Sequence, residues 1–289
     1  MDTWFGKHSK FMTLEDSCMM IIDCHVHFAG GSKEGLIKGL DAAGISKCML
    51  LAPHPNSFIF RGQKLSRSSK ERLDALMEYA QFSERIIPIY WIDPLEEDAL
   101  EQVDMAVDAG LIGFKVICNR FYPADERPMQ VWEYIAGKGK PILFHSGILY
   151  SNPHASMYNR PVNWEPLFDI PNLKFAMAHV SWPWHDECIA VYGYWSSRKE
   201  SGTTTAELFI DTTPGTPKIY REEVMTKLYT IGYNNEDNIV YGSDCTTDYD
   251  PSYARAIIDM DIEYLDKCKV SKEVQEKDFS KNIQRFLNI

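Results

Sequence analysis

The sequence has no CxxC pair, no long apolar run and no excess of positive charge, and each absence narrows the class of protein. Its seven cysteines are odd in number and widely spaced, which argues against a disulfide framework and favours a reducing, cytoplasmic compartment. No apolar run approaches the roughly 20 residues that span a bilayer. Residues 1–17 lack the apolar core of a signal peptide. We therefore expect neither a membrane protein nor a secreted disulfide-rich one.

The charge balance is acidic, with 41 acidic and 30 basic residues and a net charge of −11. A broad basic surface for nucleic acid is therefore not expected, whereas a local basic pocket for a small anion remains open. The hydrophobic fraction of 45% and the charged fraction of 25% are those of a globular protein. Residues 1–17 fall outside the repeating pattern and are interpreted as an N-terminal extension, and residues 18–289 are predicted to form one domain.

Short apolar segments alternate with segments of helical periodicity along the chain. Strands are predicted at 19–22, 47–52, 86–92, 111–117, 141–144, 172–178, 207–210 and 238–241. Strict alternation favours a parallel sheet, because each crossover needs a helix. Eight such units favour a (β/α)8 TIM barrel over an open doubly wound sheet. The first strand also lacks the glycine-rich phosphate turn of a Rossmann-like sheet.

Helices are predicted between these strands, from the spacing of apolar residues and from capping residues. They are expected at 32–44 with Ser32 as N-cap, 69–82, 95–109, 129–136, 185–197, 219–231 and, with a break near 270, 251–289. Two long polar and aromatic loops, 53–66 and 147–166, interrupt the pattern. Loops of that length often carry function.

Two histidines separated by one residue end the first predicted strand. His25 and His27 lie in the stretch Ile-Ile-Asp-Cys-His-Val-His, and alternation along an extended chain places both imidazoles on one face. Two neutral imidazoles that converge at the carboxyl end of a strand suit a divalent transition metal. The alternative is a strand that runs into a polar turn and happens to contain two histidines.

Further residues with suitable side chains stand at other predicted strand ends. They are Lys115 in the fourth strand, His145 after the fifth, His179 after the sixth and Asp244 after the eighth. The carboxyl ends of all strands face one rim of a (β/α)8 barrel, so residues that are distant in the sequence converge there. Each residue alone also fits a hydrogen-bonded structural role, but their shared position predicts a common site.

These segments resemble the landmarks of the amidohydrolase superfamily. Asp23-Cys24-His25-Val26-His27 resembles its DxHxH opening, and later landmarks resemble the segments Gly113-Phe114-Lys115, Leu143-Phe144-His145-Ser146-Gly147, Ala178-His179 and Tyr241-Gly242-Ser243-Asp244. The order and spacing are most similar to the amidohydrolase-related branch, which also holds decarboxylases of the aminocarboxymuconate-semialdehyde type. The resemblance extends from about residue 20 to the last residue. It implies a distorted (β/α)8 barrel with one or two divalent metal ions, often zinc.

The resemblance implies that His25, His27 and Asp244 are metal ligands and that His145 is the next ligand, of a first or second metal. His179 would be a ligand of the second metal or a residue that polarises the substrate. Such a set leaves a position for water, whose pKa a bound zinc lowers to roughly 7. Asp244 would accept the proton of this water and pass it to the leaving group. Zinc is the expected metal, with manganese as the alternative.

Other candidate site residues keep more than one interpretation. In binuclear relatives a lysine from strand four is carboxylated and bridges two metals; Lys115 would do the same, pair with a substrate carboxylate, or form a structural salt bridge. Arg120, Tyr122, Arg160 and Trp182 are candidate substrate-binding residues, the arginines through paired hydrogen bonds to a carboxylate. Solvated loop arginines and packed aromatic side chains explain these four residues as well.

The expected function is that of a metal-dependent hydrolase, acting on a small amide, lactone or related C–N or C–O bond through a metal-activated water. A carboxylate on this substrate is a hypothesis that rests on Arg120, Arg160 and Lys115. The alternative keeps the ligands but predicts non-hydrolytic decarboxylation or hydration of an unsaturated acid. Barrels of this branch often dimerise, and Trp4 and Phe5 are candidate contacts.

Two further alternatives are less favoured by the sequence. A TatD- or PHP-like phosphoesterase also opens with an HxH strand, but TatD-like enzymes place a glutamate near strand four, where this chain has Lys115. A non-enzymatic metal-binding barrel predicts the loss of Asp244 or of one HxH histidine, and all three residues are present.

Overall fold

The strands of the protein form a curled parallel sheet, as the alternating pattern predicts. The structure is a computed structural model that describes residues 19–60, 63, 64 and 66–289, with residues 60, 63 and 64 described by their backbone alone. The predicted extension at 1–17 lies outside the described residues. The strands are β1 (Ile22–His27), β2 (Lys47–Leu51), β3 (Ile59–Phe60), β4 (Gln63–Lys64), β5 (Ile86–Trp91), β6 (Gly113–Val116), β7 (Ile142–Phe144), β8 (Lys174–Met177), β9 (Glu207–Asp211), β10 (Ile239–Val240) and β11 (Cys245–Thr246).

The order of the strands in the sheet is that of a closed (β/α)8 barrel. Neighbours follow the order β10-β9-β8-β7-β6-β5-β2-β1-β11, while β3 and β4 form a separate antiparallel pair in the 53–66 loop. β11 pairs with β1. Between β10 and β11, Tyr241 O accepts from Cys24 N at 3.0 Å and Asp244 N donates to His25 O at 3.0 Å. β10 and β11 together therefore fill the eighth strand position, and the predicted fold class is confirmed.

Helices follow the strands at the predicted places, with small shifts at two N-termini. Leu95 N donates to Asp93 Oδ1 at 3.0 Å, and this side-chain turn competes with helix formation, so the third helix begins at Ala99 rather than at 95. The fourth begins at Glu126 rather than at 129, because Pro128 is tolerated in a first turn. The described helices are α1 (Lys33–Ala43), α2 (Ser69–Ala80), α3 (Ala99–Asp108), α4 (Glu126–Gly137), α5 (His185–Glu200), α6 (Lys218–Thr230), α7 (Pro251–Lys267), α8 (Lys272–Glu276) and α9 (Asn282–Leu287).

The barrel interior is apolar at its amino end. Side chains such as Ile22, Met49 and Phe209 form an inner cluster, and Ile283 and Phe286 of α9 pack against it. A larger cluster lies between the strands and the surrounding helices. With the amino end filled by apolar groups, the polar strand ends gather at the opposite rim. Among the described residues, no helix is long and apolar enough to cross a membrane.

Candidate metal centre and substrate cavity

A β-bulge in β1 aims both histidines of the HxH stretch at the site. The register of β1 against β2 shifts between Asp23 and Val26, which interrupts the regular alternation of side chains. Cys24 packs in the inner apolar cluster and Val26 in the outer one. His25 and His27 stand beside each other at the rim, with ring centroids 5.0 Å apart.

Three strand ends bring metal-ligating atoms together. One ligand atom each of His25, His179 and Asp244 lies within 4.8 Å of the other two. Asp244 Oδ1 is 3.2 Å from His27 Nε2 and 3.8 Å from His25 Nε2. Donor atoms around a tetrahedral zinc ion, at about 2.0–2.2 Å from it, are about 3.3 Å apart. The spacing of these groups therefore fits a divalent metal.

The protonation states of these groups also fit a metal. Burial, followed by the charge of Lys115, lowers the pKa of His25 well below its ordinary value, and burial likewise lowers the pKa of His27 and His145. Partial burial opposes the charge of Asp244, but the hydrogen bond with His27 counteracts it, and the pKa of this carboxyl is lowered. Neutral imidazoles and an ionised carboxylate are the forms that bind metal.

A buried ring nitrogen of His179 also fits a site that binds another group. Its Nδ1 is buried and has no hydrogen-bond partner among the described residues, which is uncommon for a buried polar atom. His179 and the next two residues, Val180 and Ser181, have φ angles of 63°, 42° and 57°. Residues other than glycine rarely adopt this left-handed backbone conformation, and such strain concentrates at functional sites.

Asp211, the last residue of β9, holds His25 from behind. Its Oδ2 accepts from His25 Nδ1 at 2.8 Å, and its Oδ1 accepts from Thr213 N at 2.7 Å. Both His25 and Asp211 are fully buried. A carboxylate that binds one ring nitrogen fixes the tautomer and leaves Nε2 for the metal. Asp211 directly follows the predicted strand at 207–210, and this position at the shared rim was the available signal for a role that the sequence prediction missed.

Asp23 ties β1 to the segment that carries Asp244. It accepts from Ser243 N at 2.9 Å, Ser243 Oγ at 2.6 Å and Tyr249 OH at 2.8 Å. Asp244 itself has a φ of 61°. Gly242, two residues earlier, has no room for a side chain, because a Cβ there would lie 2.8 Å from His25 Cβ and 2.1 Å from Thr213 Oγ1. The position of the Asp244 carboxylate is therefore set by its neighbours on both sides.

A cavity of about 560 Å³ opens beside this cluster. Its polar lining consists of His27, His145, Ser146, Ser151, His179 and Asp244. The apolar lining consists of Phe58, Ile117, Ile148, Leu149, Trp182 and Pro214, with the exposed Tyr150 at the mouth. The volume is that of a small-molecule site.

The Amidohydrolase family model matches residues 22–289. The chain belongs to the amidohydrolase family. This match confirms the resemblance seen in the sequence and covers every residue of the cluster. Comparison with curated proteins gives no match.

Solved structures share the fold of this amidohydrolase at low sequence identity. A probable 2-pyrone-4,6-dicarboxylic acid hydrolase from Acinetobacter baumannii, with citric acid bound, is 12% identical, with a TM-score of 0.63 over 94% of this chain and 100% of that one. Amidohydrolase 2 from Bifidobacterium longum subsp. infantis is 12% identical, with a TM-score of 0.58 over 94% and 100%. Dihydroorotase from Campylobacter jejuni is 16% identical, with a TM-score of 0.57 over 93% and 83%. These similarities concern the fold and agree with the amidohydrolase-related branch.

His145 of the amidohydrolase lies across the cavity floor from His179, with ring centroids 4.9 Å apart. Its Nε2 is 3.1 Å from Ile148 O. A carbonyl only accepts, so Nε2 carries the proton and Nδ1 is the nitrogen left for a metal. The role of His145 as a ligand stays a prediction.

Lys115 lies beside the candidate metal ligands and does not line the cavity. The side chain is fully buried, and its Nζ is 3.3 Å from His25 Nε2. Burial lowers the pKa of Lys115 to about 8, against the opposing charges of Asp211 and Asp244. The bridging interpretation suits this position better than direct contact with a substrate carboxylate.

Of the other four predicted substrate-binding residues, Trp182 lines the cavity and Arg120, Tyr122 and Arg160 do not. Arg120 is paired with Asp93 at 2.7 Å, and Arg160 with Glu187 at 2.8 Å. The structure therefore brings the histidines and Asp244 together, but turns both arginines toward carboxylates of the protein itself.

Proposed function

We propose that this amidohydrolase is a metal-dependent hydrolase of a small molecule with an amide, lactone or related C–N or C–O bond. The proposal rests on the cluster of His25, His27, His179 and Asp244, whose donor spacing and charge fit a divalent metal beside a cavity of small-molecule size. The names of two neighbours in fold, a probable dicarboxylic acid hydrolase and a dihydroorotase, agree with hydrolysis.

His25, His27 and Asp244 would hold the metal, with His179 or His145 as the next ligand. Zinc is the expected ion, and manganese is the alternative. When bound, such an ion supplies a Lewis acid that lowers the pKa of water to roughly 7. One or two ions are compatible with this ligand set, and a carboxylated Lys115 would favour two.

The reacting groups of the chain lie on the cavity floor. The side chain of Asp244 is 39% exposed. Its carboxylate would take the proton of the attacking water and give it to the leaving group. His179, held against the cavity by its left-handed backbone, would donate a hydrogen bond to the attacked oxygen and stabilise its developing charge. The apolar walls would exclude other water.

Elemental analysis of the purified protein tests this proposal. We expect one or two equivalents of zinc or manganese in the wild type, a clear loss in Asp244→Ala, and no loss in Asp169→Ala, which removes a surface carboxylate. The loaded wild type should hydrolyse members of a panel of amides and lactones. No bound metal, together with no stabilisation on adding zinc or manganese, would contradict the proposal. Release of CO₂ from an unsaturated acid without hydrolysis would support decarboxylation instead.

Three broader expectations belong to the same proposal. Residues 18–289 act as one barrel domain with a small-molecule substrate, and the protein forms a homodimer. Its location is the cytoplasm, where the six described cysteines, all of them free thiols, would stay reduced.

A further inference from the structure

We propose that the substrate carries its charge, if any, at the end that meets the metal centre, and that the rest of it is an uncharged aromatic body packed against Trp182. This inference rests on the proposed function in one respect, namely which end of the substrate reacts. It replaces the hypothesis of a carboxylate held by loop arginines.

The cavity is divided into a polar floor and an apolar wall. His27, His179 and Asp244 lie together on the floor. The wall is built from Phe58, Ile117, Ile148, Leu149, Pro214 and Trp182. A substrate with its reacting bond over the floor must therefore place the rest of its surface on apolar side chains.

Among the described residues that line the cavity, none is a lysine or an arginine. The two arginines that the sequence offered as carboxylate ligands are engaged, Arg120 by Asp93 and Arg160 by Glu187. A carboxylate on the substrate body would lose its water against these residues without gaining an ion pair, and the burial of an unpaired charge is unfavourable. The described part of the wall therefore disfavours a charged body.

Two polar groups of the wall, the Ser146 hydroxyl and the Ile148 carbonyl, are also occupied. The buried Ser146 hydroxyl lies 2.7 Å from Ser181 Oγ and accepts from Trp164 Nε1 at 3.1 Å. The Ile148 carbonyl is taken by His145 Nε2 at 3.1 Å. These contacts leave dispersion and stacking as the main attractions that this part of the wall offers.

Trp182 is held as a fixed aromatic surface. Tyr220 stacks on its ring with centroids 5.3 Å apart and planes inclined by 26°. Its Nε1 donates to Tyr150 OH at 3.3 Å, which satisfies the only polar atom of the indole ring. A planar ring stacked on an indole that is already held in place loses little further conformational entropy, so the geometry favours an aromatic body over a flexible chain.

The test compares two probes that differ only in a distal charge: 2-naphthamide and 6-carbamoyl-2-naphthoic acid. Binding is measured by calorimetry, with and without added zinc, on the full chain. We expect 2-naphthamide to bind at least tenfold more tightly than its carboxylated analogue. Trp182→Ala should weaken the binding of 2-naphthamide at least tenfold, Trp182→Phe should recover part of it, and Tyr194→Ala, an exposed aromatic on α5 outside the cavity lining, should leave it unchanged.

A second variant keeps the test valid if Trp182→Ala does not fold. Ile148 is only partly buried and lines the wall, so Ile148→Arg offers a cation to the distal carboxylate at little cost to the core. It should reverse the preference in favour of the carboxylated probe. Equal binding of the two probes by the wild type, tighter binding of the acid, or no binding of either would overturn the inference.

Failure of the proposed function is a separate outcome. If the protein takes up no metal and hydrolyses nothing, but still prefers the neutral probe through Trp182, the hydrolase proposal fails and the inference about the substrate body stands. If it binds metal and hydrolyses carboxylated aromatic amides as well as neutral ones, the hydrolase proposal stands and the inference fails.

Discussion

The two sides of the cavity are built in different ways. On the strand side, His25, Asp211 and Asp244 come from three neighbouring strand ends. A buried side-chain hydrogen bond joins His25 to Asp211, and a backbone hydrogen bond joins His25 to Asp244. On the loop side, the wall from Ile148 to Tyr150 belongs to a long loop that is anchored largely through Asn159, whose side chain bonds Cys118 N and O at 3.3 and 2.7 Å. Under the proposed function, the chemistry belongs to the barrel and contact with the substrate body to the loops.

The two sides differ in how accurately their side chains must be positioned. Metal ligands tolerate displacements of only a few tenths of an ångström. They therefore lie where the backbone and hydrogen bonds from neighbouring side chains fix their positions. Apolar packing against a substrate tolerates more, and loops can change it without disturbing the barrel. Changes on the strand side should therefore have larger effects than changes on the loop side.

The largest effect is expected from Gly242→Ala on the strand side. The new Cβ would meet Thr213 Oγ1 at 2.1 Å and His25 Cβ at 2.8 Å, and neither atom belongs to the free end of a flexible side chain. Such overpacking costs about 3 kcal/mol or more. We expect a matching fall in the free energy of unfolding by urea, together with weaker metal binding.

Gly137→Ala is the matched control for this prediction. It lies at the end of α4, where an added Cβ meets nothing within 4 Å, and alanine there should be neutral or stabilise by up to about 1 kcal/mol. Equal stability of the two variants would mean that the strand side is not tightly packed around Gly242.

The second-largest effect is expected from substitutions of Asp211, which positions His25. Asp211→Asn keeps an acceptor for His25 Nδ1 but removes the charge, whereas Asp211→Ala removes both. We expect metal affinity to fall by about 10-fold and about 100-fold respectively, measured by competition with a chromophoric chelator. Asp278→Asn, a buried carboxylate bonded to Tyr229 outside the cavity lining, should leave metal affinity unchanged. Unchanged affinity in both Asp211 variants would exclude the positioning role.

Most of the strand side can be predicted from the sequence because its signals are local and periodic. Apolar runs located the strands, and strand ends located His25, His179 and Asp244. The β-bulge that aims His25 left no such signal, because it follows from the register of β1 against its neighbour.

The loop side could not be predicted in the same way. Arg120 pairs with Asp93, which precedes it on another loop, and no spacing rule connects side chains across two irregular segments. A free arginine and a paired one look the same in the sequence. For that reason the sequence suggested a carboxylate site where the structure shows ion pairs within the protein.

On the loop side, the stability should respond to mild acid through His185. This residue contacts Trp182, and its Nε2 lies 2.9 Å from Thr216 Oγ1. Burial lowers the pKa of His185 to about 4, below the value of about 6.5 in an unfolded chain. The unfolded chain therefore takes up the proton first, so this contribution is fully present above pH 6.5 and is lost as the pH falls through 4.

Substitution of His185 should reduce this acid sensitivity. Between pH 7 and pH 4.5, His185→Gln should lose less stability to urea than the wild type, since glutamine keeps a polar group but does not titrate. His154→Asn, at an exposed loop position, should lose as much as the wild type. Parallel stability curves for the wild type and His185→Gln would show that His185 does not contribute.

The smallest effect is expected from Arg160→Ala, which tests directly whether the loop side recognises charge. The guanidinium is half-exposed and bound to Glu187 at 2.8 Å, and exposed ion pairs contribute about 0.2–1 kcal/mol. We expect kcat/KM for neutral substrates to stay within twofold of the wild type, as in Arg198→Ala, which breaks a similar pair with Asp169 at 2.8 Å. A KM that rises tenfold for carboxylated substrates alone would show that Arg160 leaves Glu187 to bind substrate. The loop side would then recognise charge, and the separation between a reactive strand side and an apolar loop side would no longer hold.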